Sequence, residues 1–228
     1  MIYKDKFNQA IQLTMPKNVK TIGISMSGGA DSSLLCYLLA RQIKEEKLDV
    51  KISPITAKFA VRPWSYDVSR KVTGFISTAL DFDNWGNHWK FDVSEYECQT
   101  DASKEYKFDT IVQFLILNKK IDFFYSGKTK NPDQKIMDTF YDKQFQQDRQ
   151  YPNQKSIQKS EIEHVPYAMV DKRLVLSLYN DLDLLDTLFP LTRSCEGDRN
   201  ITNNFTTTCG KCWWCEERNW AYQEVIND

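Results

Sequence analysis

The stretch Ser27-Gly28-Gly29-Ala30-Asp31-Ser32-Ser33 stands between an apolar run ending at Met26 and a run with helical apolar spacing, and it constrains the chain more than any other feature. A strand that turns directly into a helix aims the first backbone N–H groups of the helix, and its positive dipole end, at one point. Gly28 and Gly29 permit positive φ and close approach of a ligand, and Ser27, Ser32 and Ser33 add hydroxyls. An anion fits there, and a phosphate best. Asp31 is the odd member: it either caps the helix or holds a divalent cation shared with phosphates. The Gly-Lys-Ser/Thr ending of the P-loop is absent, which sets aside kinases and GTPases of that type.

The periodicity beyond this loop predicts what it is mounted on. Strands are expected at about Thr21–Met26, Val50–Phe59, His88–Val93 and Ile121–Ser126, alternating with helices at about Ser32–Glu46, Tyr66–Leu80 and Lys104–Asn118. This alternation argues for an α/β fold, a parallel doubly wound sheet with helices on both faces. Ligands of such sheets bind beyond the carboxyl ends of the strands, where Ser27–Ser33 and Ser126–Thr129 both fall. From about 128 to 164 the chain turns polar, with a helix-like piece beginning at Asp133, and reads as an insertion beside the site or as a solvated surface segment. After Pro166 the spacing suits two short helices, and a last helix is expected at Trp213–Ile226.

Four of the six cysteines crowd the C-terminal part as Cys195, Cys209, Cys212 and Cys215, while Cys36 and Cys98 stand alone. The Cys-x-x-Cys-x-x-Cys run sets three thiolates to face one point, with Cys195 closing a tetrahedron, and zinc fits that set best. Four protein ligands leave no open position, so the metal is expected to be structural and to tie the last helix to the body. Disulfides and an iron–sulfur cluster are the competing readings.

The formal charge of -1 gives no global field toward nucleic acid or an anionic membrane. Residues 1–20 lack the apolar core of a signal peptide, no run approaches the roughly 20 apolar residues of a membrane span, and a cytoplasmic location is expected. With 228 residues, 41% of them hydrophobic, the chain is expected to form a single domain.

The Ser-Gly-Gly-Ala-Asp-Ser-Ser run resembles the signature of the PP-loop ATP pyrophosphatases, whose sheet is of the adenine nucleotide alpha hydrolase type. The resemblance implies that Met26 to Ser33 cradle the pyrophosphate part of ATP with Mg²⁺, leaving the α-phosphate open to attack. Within that group the C-terminal cysteines, Thr192-Arg193-Ser194-Cys195, the closing Arg218 and the Pro166–Leu176 entry bearing Lys172 are similar to 7-cyano-7-deazaguanine synthases of queuosine-precursor synthesis. This implies an ATP-dependent ligase that adenylates the carboxylate of 7-carboxy-7-deazaguanine and converts it with ammonia, through the amide, to the nitrile. It also implies Asp31 and Lys172 as catalytic residues, Gly127 and Lys128 beside the nucleotide, and a homodimer. The family's substrate-loop motif is matched only in part by Tyr151-Pro152-Asn153, downstream of its usual place.

Alternatives from other classes remain open at this level. A PP-loop enzyme acting on another modified purine, or thiolating a tRNA base, would suit an iron–sulfur reading; a non-catalytic nucleotide or nucleic-acid module would keep the loop alone. No glutaminase-sized segment precedes Thr21, so a self-contained amidotransferase is not expected. His88 and His164 are candidate bases outside any motif, Lys172 could equally be an exposed helical lysine, and Trp213, Trp214, Trp220 and Tyr222 either pack the metal subdomain or stack on a base.

Overall fold

The computed structural model describes residues 1–93, 101–141 and 162–227, the backbone alone for 101–107. An antiparallel hairpin opens the chain, β1 (Ile2–Lys4) with β2 (Ala10–Gln12). Then come β3 (Thr21–Ser25), α1 (Ala30–Glu45), β4 (Lys51–Lys58), α2 (Ser65–Leu80), β5 (Trp89–Asp92), α3 (Asp101–Leu117) and β6 (Phe123–Tyr125). The single turn α4 (Gln134–Met137), β7 (Glu163–His164), α5 (Lys172–Asp181), a 3₁₀ turn at Phe189–Leu191 and α6 (Trp213–Ile226) complete it.

The strands β3 to β7 form one sheet of order β5-β4-β3-β6-β7, every pair parallel. The chain works outward from β3 to one edge, then returns to its other side. The crossovers therefore diverge between β3 and β6, the switch point of a doubly wound sheet, and leave a crevice at the carboxyl ends of those two strands.

Side-chain alternation along the strands divides the core. Ile22, Ile24, Ile52, Phe123 and Tyr125 face the layer containing α1, α2, α5 and α6. Ile55 and Phe124 face the opposite way, onto Val112 and Leu115 of α3. Gly23 faces that side too, where an added Cβ would stand 2.6 Å from Ile121 Cδ1, so the β3 backbone approaches α3's layer where a side chain would not fit. Cys36 lies fully buried in α1; burial pushes its thiol up, and it packs as a small hydrophobe.

Four features differ from the sequence expectation. The hairpin and β7 are not signalled by periodicity, because strands of two or three residues carry too little alternation to read. The second short helix after Pro166 is a 3₁₀ turn, with Pro190 inside it. The described part of the helix-like piece after Asp133 holds a single turn; its residues beyond Tyr141, with Tyr151-Pro152-Asn153 and Cys98, lie outside the described residues. No helix among the described residues is long and apolar enough to cross a membrane.

His88 illustrates how the β4 end is fixed. Its Nε2 lies 2.9 Å from Thr56 Oγ1 and 3.3 Å from Ser69 Oγ, and Thr56 Oγ1 donates to the Met26 carbonyl at 3.0 Å, tying the loop's entry to α2. Burial, helped by the Lys90 charge, lowers the imidazole pKa from 6.5 to about 4. Because the unfolded chain takes up this proton near pH 6.5 and the folded one only near pH 4, stability is full above that window and falls as pH drops through it. Thermal melts of His88→Gln are expected to lose part of this slope between those pH values.

Candidate functional site

The helix α1 begins two residues before the Ser32 start expected from the sequence, at Ala30, with Gly29 as its N-cap at φ -73° and no side-chain cap. Asp31 therefore does not cap. It lies in the first turn, where its carboxylate is free for other partners. The loop is braced internally: Gly29 N–H donates to Ser27 Oγ at 3.2 Å, Ser27 and Ser32 hydroxyls stand 3.1 Å apart, and Ser32 Oγ donates to the Gly29 carbonyl at 3.2 Å. Arg193 N–H donates to the Gly28 carbonyl at 2.8 Å, so the segment leading into Cys195 is pinned to the loop.

Gly28 is the residue the turn requires. Its φ is +79°, and a Cβ there would stand 2.7 Å from Val68 Cγ1. Gly28→Ala is expected to cost about 1–3 kcal/mol of stability from strain and to displace the loop; urea unfolding checks it. At Gly127 the approach is also close, since an added Cβ would be 3.1 Å from Ser32 N at the start of α1.

A cavity of about 380 Å³ opens above this loop at the carboxyl ends of β3, β4 and β6. Its polar side carries Ser27, Gly29, Asp31, Ser32, Gly127, Lys128 and Lys172, and its apolar side Ile55, Ala57, Phe59, Val61 and Phe124. Met26, Gly28, Ala30 and Ser33 do not line it: Met26 and Ser33 are fully buried behind the loop. Neither histidine lines it either. His164 is buried in β7 with its ring 5.6 Å from that of Tyr125, and burial lowers its pKa.

Of the two readings the sequence left for Lys172, the exposed helical lysine is not the one observed. Lys172 is 1% exposed, and its Nζ lies 3.0 Å from Asp31 Oδ2 and 2.9 Å from Glu217 Oε2. Asp171 caps α5 by accepting from Arg173 N–H at 3.0 Å and is held in turn by Gln9 of the hairpin loop, which fixes the turn that delivers Lys172. Tyr179 Oη, buried on α5, donates to the Ala30 carbonyl at 2.9 Å and docks α5 on the loop. Among the described residues, Asp31 Oδ1 is buried without a hydrogen-bond partner. That orphaned oxygen, at the mouth of a phosphate-type loop, fits a ligand of a divalent cation such as Mg²⁺.

The four cysteine sulfurs Cys195, Cys209, Cys212 and Cys215 all lie within 4.8 Å of one another, and none is in a disulfide. Cys195 Sγ accepts from the N–H groups of Gly197 and Cys209, both at 3.3 Å, and Cys209 Sγ from Cys212 N–H at 3.2 Å. These donors suit thiolates, and the neighbouring Cys212 and Cys215 thiols together with them hold Cys195 well below its ordinary pKa. An added Cβ at Gly197 would stand 2.8 Å from Cys209 Sγ, so the backbone folds close around the cluster. An all-thiolate set of this span could hold a metal ion.

Around the cluster, Trp213 packs edge-on to Phe140, Trp220 lies under the Arg173 guanidinium and Tyr222 stacks on Phe189, all as packing groups. Trp214 differs, since it lines the cavity. Arg62 lies over its ring, 5.7 Å from the centre, and pairs with Glu196. Arg218 donates to Thr192 Oγ1 at 2.7 Å and to the Phe189 carbonyl at 3.0 Å, so it braces the chain on the approach to Cys195. Of the four, Trp214 was a sequence candidate for packing or stacking, whereas nothing in the sequence singled out Glu217, Glu196 or Arg62.

No protein-family model matches this chain, and no curated protein matches it. Among solved structures, the U34-tRNA thiolase NcsA from Methanococcus maripaludis, determined with its 4Fe-4S cluster, is similar over 92% of this chain and 73% of its own, at 13% identity and a TM-score of 0.47. NAD+ synthetase from Burkholderia pseudomallei is similar over 92% of this chain and 79% of its own, at 14% identity and a TM-score of 0.39. Likenesses this distant leave the chemistry of the chain to its own residues.

Proposed function

We propose that this chain is an ATP-dependent ligase of the PP-loop type, which adenylates an oxygen of a small acceptor and releases pyrophosphate. The observation that carries the reading is the buried Lys172 ammonium, brought 141 residues from the loop to stand against Asp31. A desolvated cation beside a glycine loop and a helix N-terminus is suited to charge that develops on a leaving pyrophosphate. Ser27, Gly29 and Ser32 would hold the phosphate chain, with Gly127 and Lys128 beside them on the same polar side of the cavity. Mg²⁺, held at Asp31, would neutralise phosphate charge when bound.

The acceptor we propose is 7-carboxy-7-deazaguanine. Its carboxylate oxygen attacks the α-phosphorus and pyrophosphate leaves; ammonia then displaces AMP from the acyl carbon to give the amide. The amide oxygen then attacks a second ATP with release of pyrophosphate, and departure of that oxygen as AMP with loss of both N–H protons leaves the nitrile. This chemistry needs no protein nucleophile and consists of positioning and electrostatics. The chain acts as a single PP-loop domain on small molecules, in the cytoplasm.

The four cysteines we assign to structural zinc. Sulfurs about 2.3 Å from one tetrahedral ion stand roughly 3.8 Å apart, which suits a cluster whose sulfurs all lie within 4.8 Å of one another. The thiolates of a four-iron cube sit outside its corners and must spread further.

The test incubates the purified protein with Mg-ATP, ammonia and 7-carboxy-7-deazaguanine and analyses the products by mass spectrometry. Amide and nitrile with pyrophosphate are expected. Pyrophosphate without either product, obtained only with another acid, would replace the acceptor; no pyrophosphate with any acid would overturn the ligase reading. Colourless protein with one zinc is expected on metal analysis, and iron would overturn the zinc assignment.

A further inference from the structure

The thiolate cluster and the glycine loop meet through α6. Cys215 sits in its first turn and faces the other sulfurs. Glu217, two residues on, is turned by about 200° to the opposite side of the helix, where it is fully buried and its Oε2 lies 2.9 Å from Lys172 Nζ. Its neighbours do not share that task. Glu216 accepts from Tyr141 N–H at 2.7 Å, and Arg218 is committed to Thr192 and Phe189. Helix α6 is thus clamped by thiolates on one face and by a buried ion pair on the other.

Lys172 is the first residue of α5, where the positive end of the helix opposes a cation. Carboxylates hold its charge there, and the two differ in access. Asp31 lines the cavity, with its side chain 19% exposed and Oδ1 unpartnered among the described residues. Glu217 is sealed from the cavity at 0% exposure. A phosphate chain arriving with its cation draws on Asp31 but cannot reach Glu217.

We propose that Glu217 is a positioning residue that keeps the Lys172 ammonium at the glycine loop when Asp31 turns to the nucleotide's cation, and thereby makes nucleotide affinity depend on the four-cysteine centre that fixes α6. The proposal rests on the ATP reading above. Lys172 exchanges one carboxylate for the phosphate chain and keeps the other, so its position is the same before and after the nucleotide arrives. Because Glu217 follows Cys215 by two residues, any loosening of the cluster is passed directly to that ammonium.

The experiment measures calorimetric binding of Mg²⁺ with α,β-methylene ATP, an analogue that cannot be cleaved, to the metal-loaded protein and to Glu217→Gln and Glu217→Asp. Metal content and melting temperature are recorded for each. Glu217→Gln is expected to bind at least tenfold more weakly while keeping its metal, and Glu217→Asp, with the charge one methylene short, to fall between. Chelating the metal from the parent protein should weaken binding to a similar degree, and chelating it from Glu217→Gln should add little, since both act through one contact. If Glu217→Gln does not fold, Glu217→Asp carries the same comparison. Affinity within twofold of the parent in both variants would overturn the proposal and leave the ATP reading standing. A parent protein that binds no nucleotide would overturn both.

Discussion

Lys172→Met is expected to lower the unfolding free energy by about 3–5 kcal/mol, the usual result of breaking a buried ion pair from one side, and to abolish ATP-dependent pyrophosphate release. The ammonium lies between Asp31 and Glu217 at 3.0 and 2.9 Å, and Glu217 is entirely buried. Removing the cation leaves that carboxylate with no means of hydration, facing a second carboxylate. The double variant Lys172→Met/Glu217→Leu separates stability from chemistry. Replacing both members of a buried pair with apolar groups is often neutral, so the double variant should regain most of the lost stability while remaining inactive. Urea unfolding and a pyrophosphate assay on the same preparations check both halves. A single variant as stable as the parent would mean that the charge is not held as described.

The second large effect belongs to the cysteines. Cys195→Ala is expected to yield protein with substoichiometric metal and a sharply lowered melting temperature. Cys195 is 2% exposed, accepts from two backbone N–H groups and closes the thiolate set across a loop of thirteen intervening residues. Binding at structural zinc sites is worth about 10–16 kcal/mol in small peptides. Even a loss of about 3–5 kcal/mol would lower the melting temperature by roughly 6–20 °C in a chain of this size. Cys36→Ala is the control: it lies in the core of α1, away from the cluster, and should leave metal content unchanged. Scanning calorimetry with elemental analysis reads both variants.

The parallel sheet was legible because its strands and helices each carry a full period of apolar residues. The expected strand Val50–Phe59 is observed as Lys51–Lys58, and the expected helix Tyr66–Leu80 as Ser65–Leu80. The loop and the cysteines were legible because their chemistry needs fixed spacing in sequence. Glu217 was not, because its partner is distant: nothing local to α6 states that a lysine from α5 will be buried against it. Asp31 was read for both of its ordinary roles, and the structure removes capping by placing it inside the first turn. Lys172 was ambiguous for the opposite reason. Its exposure depends on how α5 docks, which is settled by distant partners, the Ala30 carbonyl for Tyr179 and Gln9 for the turn at Asp171.

The shortest strand carries a wider consequence. Because β7 is only two residues long, the polar segment after Gly127 leaves the end of β6 and returns almost where it started, with Phe124 N–H donating to the Ile162 carbonyl at 2.8 Å and Ser126 N–H to that of His164 at 3.0 Å. Both ends of the segment are thus held on β6, the strand that leads into Gly127. Its described part is held as well: Lys130 N–H donates to the Val170 carbonyl at 2.9 Å, Phe140 packs against Trp213 and Tyr141 N–H donates to Glu216. One stretch of chain therefore links Gly127, the entry to α5 and the helix that carries Cys215, so a substitution within residues 128–141 acts on three parts of the molecule together.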